Sequence, residues 1–256
     1  MGKCKEIIIK VIPASVANPF VKAHHYSGKV VPNSQLHFGA FLGGKLHGVL
    51  SYGCSMDKRK TMALVKDTGW NEFLELNRMA FDDYLPRNSE SYCIGATLRM
   101  IRKQAPQIKW VISFADGTQC GDGTIYRASN FVLTGIKKNT QIIELEDGKR
   151  IAKKTLDNKN FPSINGRYFS NVLLERGGGH YVNGYQLRYV YFLDKASRSK
   201  LTVPELPYTA IDEMGAGLYK NEHISREERH KKCEAQIERE QRKQQPAPKE
   251  TEPPTK

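Results

Sequence analysis

The sequence predicts a mixed α/β fold layered around one sheet. Three observations predict it. Short β-branched runs alternate along the chain with helix-length amphipathic stretches. Two apolar runs meet across Gly43-Gly44-Lys45, a hairpin signature. A continuous apolar run at 110–115 (WVISFA) reads as a strand buried on both faces.

Each element follows in order. Residues 5–12 alternate and are β-branched, so they form a strand that Pro13 ends. Ser15 is read as the cap of a helix running to about Tyr26, with Pro19 in its first turns. Residues 27–34 are loop. The hairpin strands are 36–42 and 46–52. Residues 54–70 are polar and irregular and carry Lys58-Arg59-Lys60. Residues 73–81 (FLELNRMAF) form another strand, followed by a loop over 82–90 and a helix over 92–104 that Pro106 closes. After the strand at 110–115 come a short helix at 124–131, a strand at 135–145 and a loop over 147–165. The last strand is 185–193. From 219 the composition turns polar: 223–245 reads as a solvated helix and 246–256 (PAPKETEPPTK) as disorder. The expected organisation is one domain over 1–218 and a charged tail over 219–256.

The chain holds 40 Lys+Arg against 27 Asp+Glu, a formal net charge of +13. Residues 219–256 contain ten Lys/Arg and eight Asp/Glu, which leaves a net +11 on the body. The excess therefore sits on the folded part, as a polyanionic partner would require. Five scattered cysteines (Cys4, Cys54, Cys93, Cys120, Cys233) form no CxxC pair, which argues against a disulfide framework or a zinc knuckle. No apolar run approaches the ~20 residues that span a bilayer, and the basic start MGKCKEIIIKVIP lacks the long apolar region of a secretory signal. A reduced, cytoplasmic protein without a membrane partner is expected.

Residues 74–135 resemble the central part of a GNAT-type N-acyltransferase. The correspondence runs through Glu75–Ala80, Ser91–Gln104, Trp110–Asp116, and Tyr126 ahead of Asn130-Phe131. Within that superfamily the chain is similar to the phage Mom family. The stretches carrying this are LELNRMAFDDYLPRNSESYCIGATLRMIRKQAP, FADGTQCGDGTIYRASNF and the upstream His25-Tyr26. The resemblance implies a GNAT-like, mostly antiparallel central sheet flanked by helices, in a bacterial host cell. It also implies a transferase that converts adenine in phage DNA to N6-carbamoylmethyladenine and so shields that DNA from host restriction. Two other readings stay open: a GNAT-type N-acetyltransferase acting on protein or small amines, and a non-catalytic nucleic-acid-binding protein.

The candidate catalytic residues are Asp116, Tyr126, Arg78, Ser91, His25 and Tyr26. Strict alternation puts Arg78 on a face with Leu76 and Ala80, opposite Glu75, Asn77 and Met79. A cation there either pairs internally, for example with Asp116, or holds an anionic or carbonyl part of donor or target. Asp116 ends a buried strand, where open α/β sheets place their chemistry, though a turn before Gly117 explains it equally. It would accept a proton from the attacking amine or orient the adenine N6 hydrogens. Tyr126 is either core or, by the resemblance, the acid that protonates the leaving group. Ser91 is read as a helix cap, and with Gly95 and Ala96 as the donor-binding turn. The superfamily's Arg/Gln-x-x-Gly-x-Gly/Ala appears here as Ser91-Tyr92-Cys93-Ile94-Gly95-Ala96, a departure that weighs against ordinary coenzyme A. The donor is then either acyl-coenzyme A-like or glycine-derived, such as glycyl-tRNA. Arg99, Arg102 and Lys103 share a helix face and are candidate nucleic-acid contacts, the alternative being a solvated face. His24, His25, His37 and His47 leave a metal open, and His180 behind three glycines is either a lid or a surface turn.

Overall fold

The computed structural model describes residues 3–118, 121–157, 163–219 and 222–223. In chain order the elements are β1 (Ile8–Ile12), α1 (Ala14–His24), β2 (Ser34–Leu42), β3 (Lys45–Gly53), α2 (Lys58–Met62), β4 (Phe73–Phe81), α3 (Ser89–Gln104), β5 (Trp110–Asp116), α4 (Thr124–Ala128), β6 (Val132–Lys138), β7 (Ile142–Leu145), β8 (Arg150–Ala152), α5 (Lys153–Leu156), α6 (Phe169–Glu175), β9 (Gly179–Tyr181), β10 (Tyr185–Phe192), α7 (Thr209–Glu213), β11 (Leu218–Tyr219) and β12 (Glu222–His223). Single 3₁₀ turns occupy Lys3–Glu6 and Lys195–Lys200.

Seven strands form the main sheet in the order β1-β2-β3-β4-β5-β10-β6. All neighbours are antiparallel except β4 and β5. That parallel pair is short. It holds only from Phe73↔Trp110 to Glu75↔Ile112, although β4 continues to Phe81 and β5 to Asp116. Beyond Glu75 the two strands part, and one side-chain bond, Ser113 Oγ to the Leu76 carbonyl at 3.0 Å, spans the start of the gap.

Helices cover both faces. The spacing Cys93, Ile94, Thr97, Leu98, Ile101 gives α3 a buried stripe. It packs against Leu50, Leu76, Val111 and Leu187 in the largest core cluster. On the other face Ala17 and Val21 of α1 meet Val49 and Ala80, while Phe73, Trp110 and Val190 pack with Val65. Each fully buried Leu or Ile contributes about 1.5–3 kcal/mol.

Several local expectations are corrected. Pro13, not Ser15, caps α1, in extended backbone that suits a proline at a helix start. The hairpin turn is two residues, Gly43-Gly44, both at positive φ (58° and 79°), so Lys45 already pairs with Leu42. The α4 helix stops at Ala128, because Asn130 turns left-handed (φ 62°) and swings Phe131 into the core. The single strand expected over 135–145 is two strands in different sheets, broken around Asn139. β7 joins a small sheet of order β8-β7-β9, so the expected loop over 147–165 holds β8 and α5, and His180 lies in β9 rather than on a lid. A short helix, α2, interrupts the segment 54–70. Leu218–Tyr219 pairs with Glu222–His223, and the helix expected from 223 to 245 lies, but for His223, outside the described residues.

Candidate active site

The gap between β4 and β5 opens into a cavity of about 570 Å³. Five of the six candidate catalytic residues line it: His25, Tyr26, Arg78, Asp116 and Tyr126. They come from the end of α1, mid-β4, the end of β5 and α4, so only the folded sheet brings them together.

Arg78 reaches the cavity because β4 carries a bulge. The register with β3 shifts between Ser51↔Arg78 and Tyr52↔Leu76, which leaves Asn77 as the extra residue. Leu74, Leu76, Met79 and Phe81 therefore pack on the α3 side, while Phe73 and Ala80 pack on the other. This corrects the strict alternation: the bulge returns Arg78 to the face of Glu75. The guanidinium donates from Nε to the Lys29 carbonyl (2.9 Å) and from Nη1 to the Asn77 carbonyl (2.7 Å). Burial lowers its pKa, and Tyr26 and Glu75 act against that. Those two carbonyls fix the guanidinium plane over the cavity.

Glu75 was not singled out from sequence. Burial raises its carboxyl above the usual range, with Ser55 and Arg78 opposing. His25 is the mirror case: burial first, then the Arg78 charge, lowers its pKa to about 4. Its Nδ1 accepts the Ser27 backbone N–H at 3.1 Å, which leaves the proton of the neutral ring on Nε2. Tyr26 packs against His25 with ring centroids 4.2 Å apart and tilted by 32°, and is 56% exposed, so it forms the rim.

Asp116 is held rigidly. Its Oδ1 accepts from the Thr118 backbone N–H (3.0 Å) and from Asn139 Nδ2 (2.9 Å), which also donates to Thr118 Oγ1 (2.9 Å). Asn139, the residue at the break between β6 and β7, thus orients the carboxylate. Tyr126 is buried with its ring against Phe131 (5.5 Å) and Tyr189 (5.3 Å). The loop before it is built from Gly123 (φ 81°) and Asp122, whose carbonyl accepts from Tyr189 Oη at 2.5 Å and whose carboxylate holds Arg127 at 3.0 Å. Burial pushes the Cys93 thiol up to about 12, so it is no nucleophile.

With this geometry in view, the family follows from comparison with known proteins. Residues 6–210 match the model of the Mom protein family. The chain is also 37% identical over 198 residues to the methylcarbamoylase Mom of Escherichia phage Mu, covering 77% of this chain and 80% of that one. The chain belongs to the Mom family. Among solved structures, the Escherichia coli ribosomal-protein-S18-alanine N-acetyltransferase is 9% identical with a TM-score of 0.41, covering 73% of this chain and 94% of that one. A Drosophila melanogaster polyamine N-acetyltransferase is 10% identical with a TM-score of 0.43, covering 73% and 99%.

The donor side of this Mom family chain differs from the sequence reading. Helix α3 begins at Ser89, after Asn88 in left-handed backbone (φ 69°). Ser91 is therefore not the cap but lies inside the first turn, its hydroxyl donating to the Asn88 carbonyl at 3.1 Å. Gly95 and Ala96 lie in the second turn, where no amide is free for phosphate. The first turn instead carries Glu90, which lines the cavity. A carboxylate there disfavours a phosphate held against this turn. Arg99, Arg102 and Lys103 are all exposed, and Arg102 donates to the Leu193 carbonyl (3.1 Å). Among the described residues no group of three or more His, Cys, Asp or Glu is placed to hold a metal ion. His37 bonds Ser51 and His47 bonds Asp82, each at 2.8 Å. No described helix is long and apolar enough to cross a membrane.

Proposed function

We propose that this Mom family transferase modifies the exocyclic amine of adenine in phage DNA, converting it to N6-carbamoylmethyladenine and protecting the DNA from host restriction. The observation that carries the mechanism is the convergence of His25, Arg78, Asp116 and Tyr126 on one cavity between the parting strands.

The adenine amine is a poor nucleophile, so its orientation and its proton both matter. Asp116, with Oδ1 held by Thr118 and Asn139, orients the N6 hydrogens and accepts a proton as the new bond forms. Neutral His25 donates from Nε2, and Arg78 holds an anionic or carbonyl group of donor or target. Tyr126 supplies a proton to the leaving group. Tyr26 at the rim stacks on a base leaving the duplex. On the α3 side Ser91, Gly95 and Ala96 border the donor, and the exposed Arg99 and Lys103, with Arg102, contact nucleic acid. Glu90 argues for a donor other than coenzyme A, and glycyl-tRNA supplies the same atoms: N6 bonds to the glycine Cα as the glycine nitrogen moves from Cα to the carbonyl carbon, and the ester C–O bond breaks to release the tRNA hydroxyl, which takes a proton.

Mass spectrometry of nucleosides from DNA of cells expressing the chain tests the reading. The adduct is expected with the native chain and absent with Asp116→Asn. Labelled glycine should place its carbon in the adduct; label arriving only from acetyl-coenzyme A would overturn the glycine donor. A folded chain that binds DNA and leaves no adduct would be the non-catalytic protein.

A further inference from the structure

Residues 54–70 lie outside the cavity lining and adjoin it through Glu75, which is part of that lining. Ser55 lies beside the cavity carboxyl of Glu75. Lys58 is 3.6 Å from Cys54 Sγ, and its ammonium sits 4.3 Å from the Trp70 ring and 6.0 Å from the Phe73 ring. Phe73 is the i−2 neighbour of Glu75 on the same strand face, about 7 Å away. The segment therefore forms a rim beside the site, outside the cavity lining.

Its surface chemistry is unusual for a rim. Trp70 is 53% exposed and Met56 is 77% exposed. The segment carries four cations, Lys58, Arg59, Lys60 and Lys66, and two acids. Both acids are already engaged: Asp57 caps α2 through the Lys60 N–H (3.1 Å), and Asp67 pairs with Lys200 at 3.3 Å. The exposure is not fraying. Thr202 bonds the Ala63 and Leu64 carbonyls, and Lys66 N–H donates to the Lys200 carbonyl at 2.9 Å. A rigid, exposed indole flanked by unneutralised cations matches a nucleic-acid strand, with the base on the ring and phosphates on the cations.

We propose that residues 54–70 form the docking surface for the DNA strand flanking the target base, with Trp70 as a stacking platform and Arg59, Lys60 and Lys66 on its phosphates. The proposal rests on the DNA-target reading above. It places the strand flanking the target base beside the β4 face that carries Glu75 and Arg78.

Intrinsic fluorescence of the full chain tests it. Of its two tryptophans Trp110 is fully buried, so Trp70 alone reports contact with solvent or base. Titration with a DNA oligonucleotide should quench the emission, and Trp70→Phe should abolish the change. Trp70→Ala should weaken binding about 5-fold or more. The exposed pair Arg59→Ala/Lys60→Ala should weaken it about 10-fold and flatten its salt dependence. Lys45→Ala at the hairpin turn serves as the charge control and should change little. Circular dichroism confirms that each variant is folded. Unquenched emission on saturating DNA, with unchanged affinity in both rim variants, would overturn the surface. So would tighter quenching by tRNA than by DNA at equal salt, which assigns the rim to RNA. Quenching without any adenine adduct leaves the surface standing and removes the catalytic reading instead.

Discussion

Asp116 and His25 show how single residues set this site. Asp116→Asn keeps an oxygen for the Thr118 and Asn139 donors, so the fold should survive with a melting temperature close to native. Adduct formation should fall by about 10²–10⁴-fold, read by nucleoside mass spectrometry. Tyr126→Phe keeps the ring packing on Phe131 and Tyr189 and should cost about 10²-fold. For His25 the expectation concerns pH. Its folded pKa of about 4 lies below the unfolded value of 6.5, so the native state binds fewer protons between those limits. Its contribution is complete above 6.5 and is lost as pH falls through that window. Histidine-labelled NMR should give His25 a midpoint near 4, and thermal melts should show less acid destabilisation in His25→Gln. A midpoint near 6.5 would contradict the buried, neutral ring.

At the scale of elements the site depends on irregularities. The Asn77 bulge turns Arg78 toward the cavity, and the early end of the β4–β5 pairing makes the cavity. The α4 approach depends on Gly123: at φ 81° a Cβ would sit 2.4 Å from the Tyr189 ring and 3.1 Å from Ala115. Gly123→Ala should cost about 2 kcal/mol. That lowers the melting temperature by ~4–8 °C in scanning calorimetry. Activity should fall further than stability, because Tyr126 and Asp122 share the loop. These irregularities were not legible. The strands at 73–81 and 110–115 and the helix near 92–104 were, because periodicity and flanking prolines report burial directly. A bulge leaves no mark on periodicity except a phase slip, and reading through that slip put Arg78 opposite Glu75. Similarly, 135–145 is β-rich throughout, and only the partner strands reveal two sheets.

Over the whole molecule the charge of +13 governs encounter with DNA. Affinity should fall by ~10³-fold between 50 and 200 mM salt if six or more phosphates are neutralised. Binding isotherms at stepped salt check this, and a flat response would remove the electrostatic reading. Truncation after residue 223 leaves the two-strand pairing at Leu218–Tyr219 intact and removes a nearly balanced stretch. Adduct formation by that shorter chain should stay within about 3-fold of native if the domain suffices.

The sequence by itself determined the mixed α/β class, the Mom family membership, the basic body, and five of the residues now found around one cavity. Those features are carried by local patterns, composition and long matched stretches. Tertiary structure decided which face Arg78 occupies, that Glu75 and Asn139 belong to the site, and that Glu90 stands where a phosphate grip was expected. The physical reason is that burial, carboxylate orientation and the parting of β4 from β5 are properties of residues far apart in sequence, and each is fixed only when the sheet closes around them.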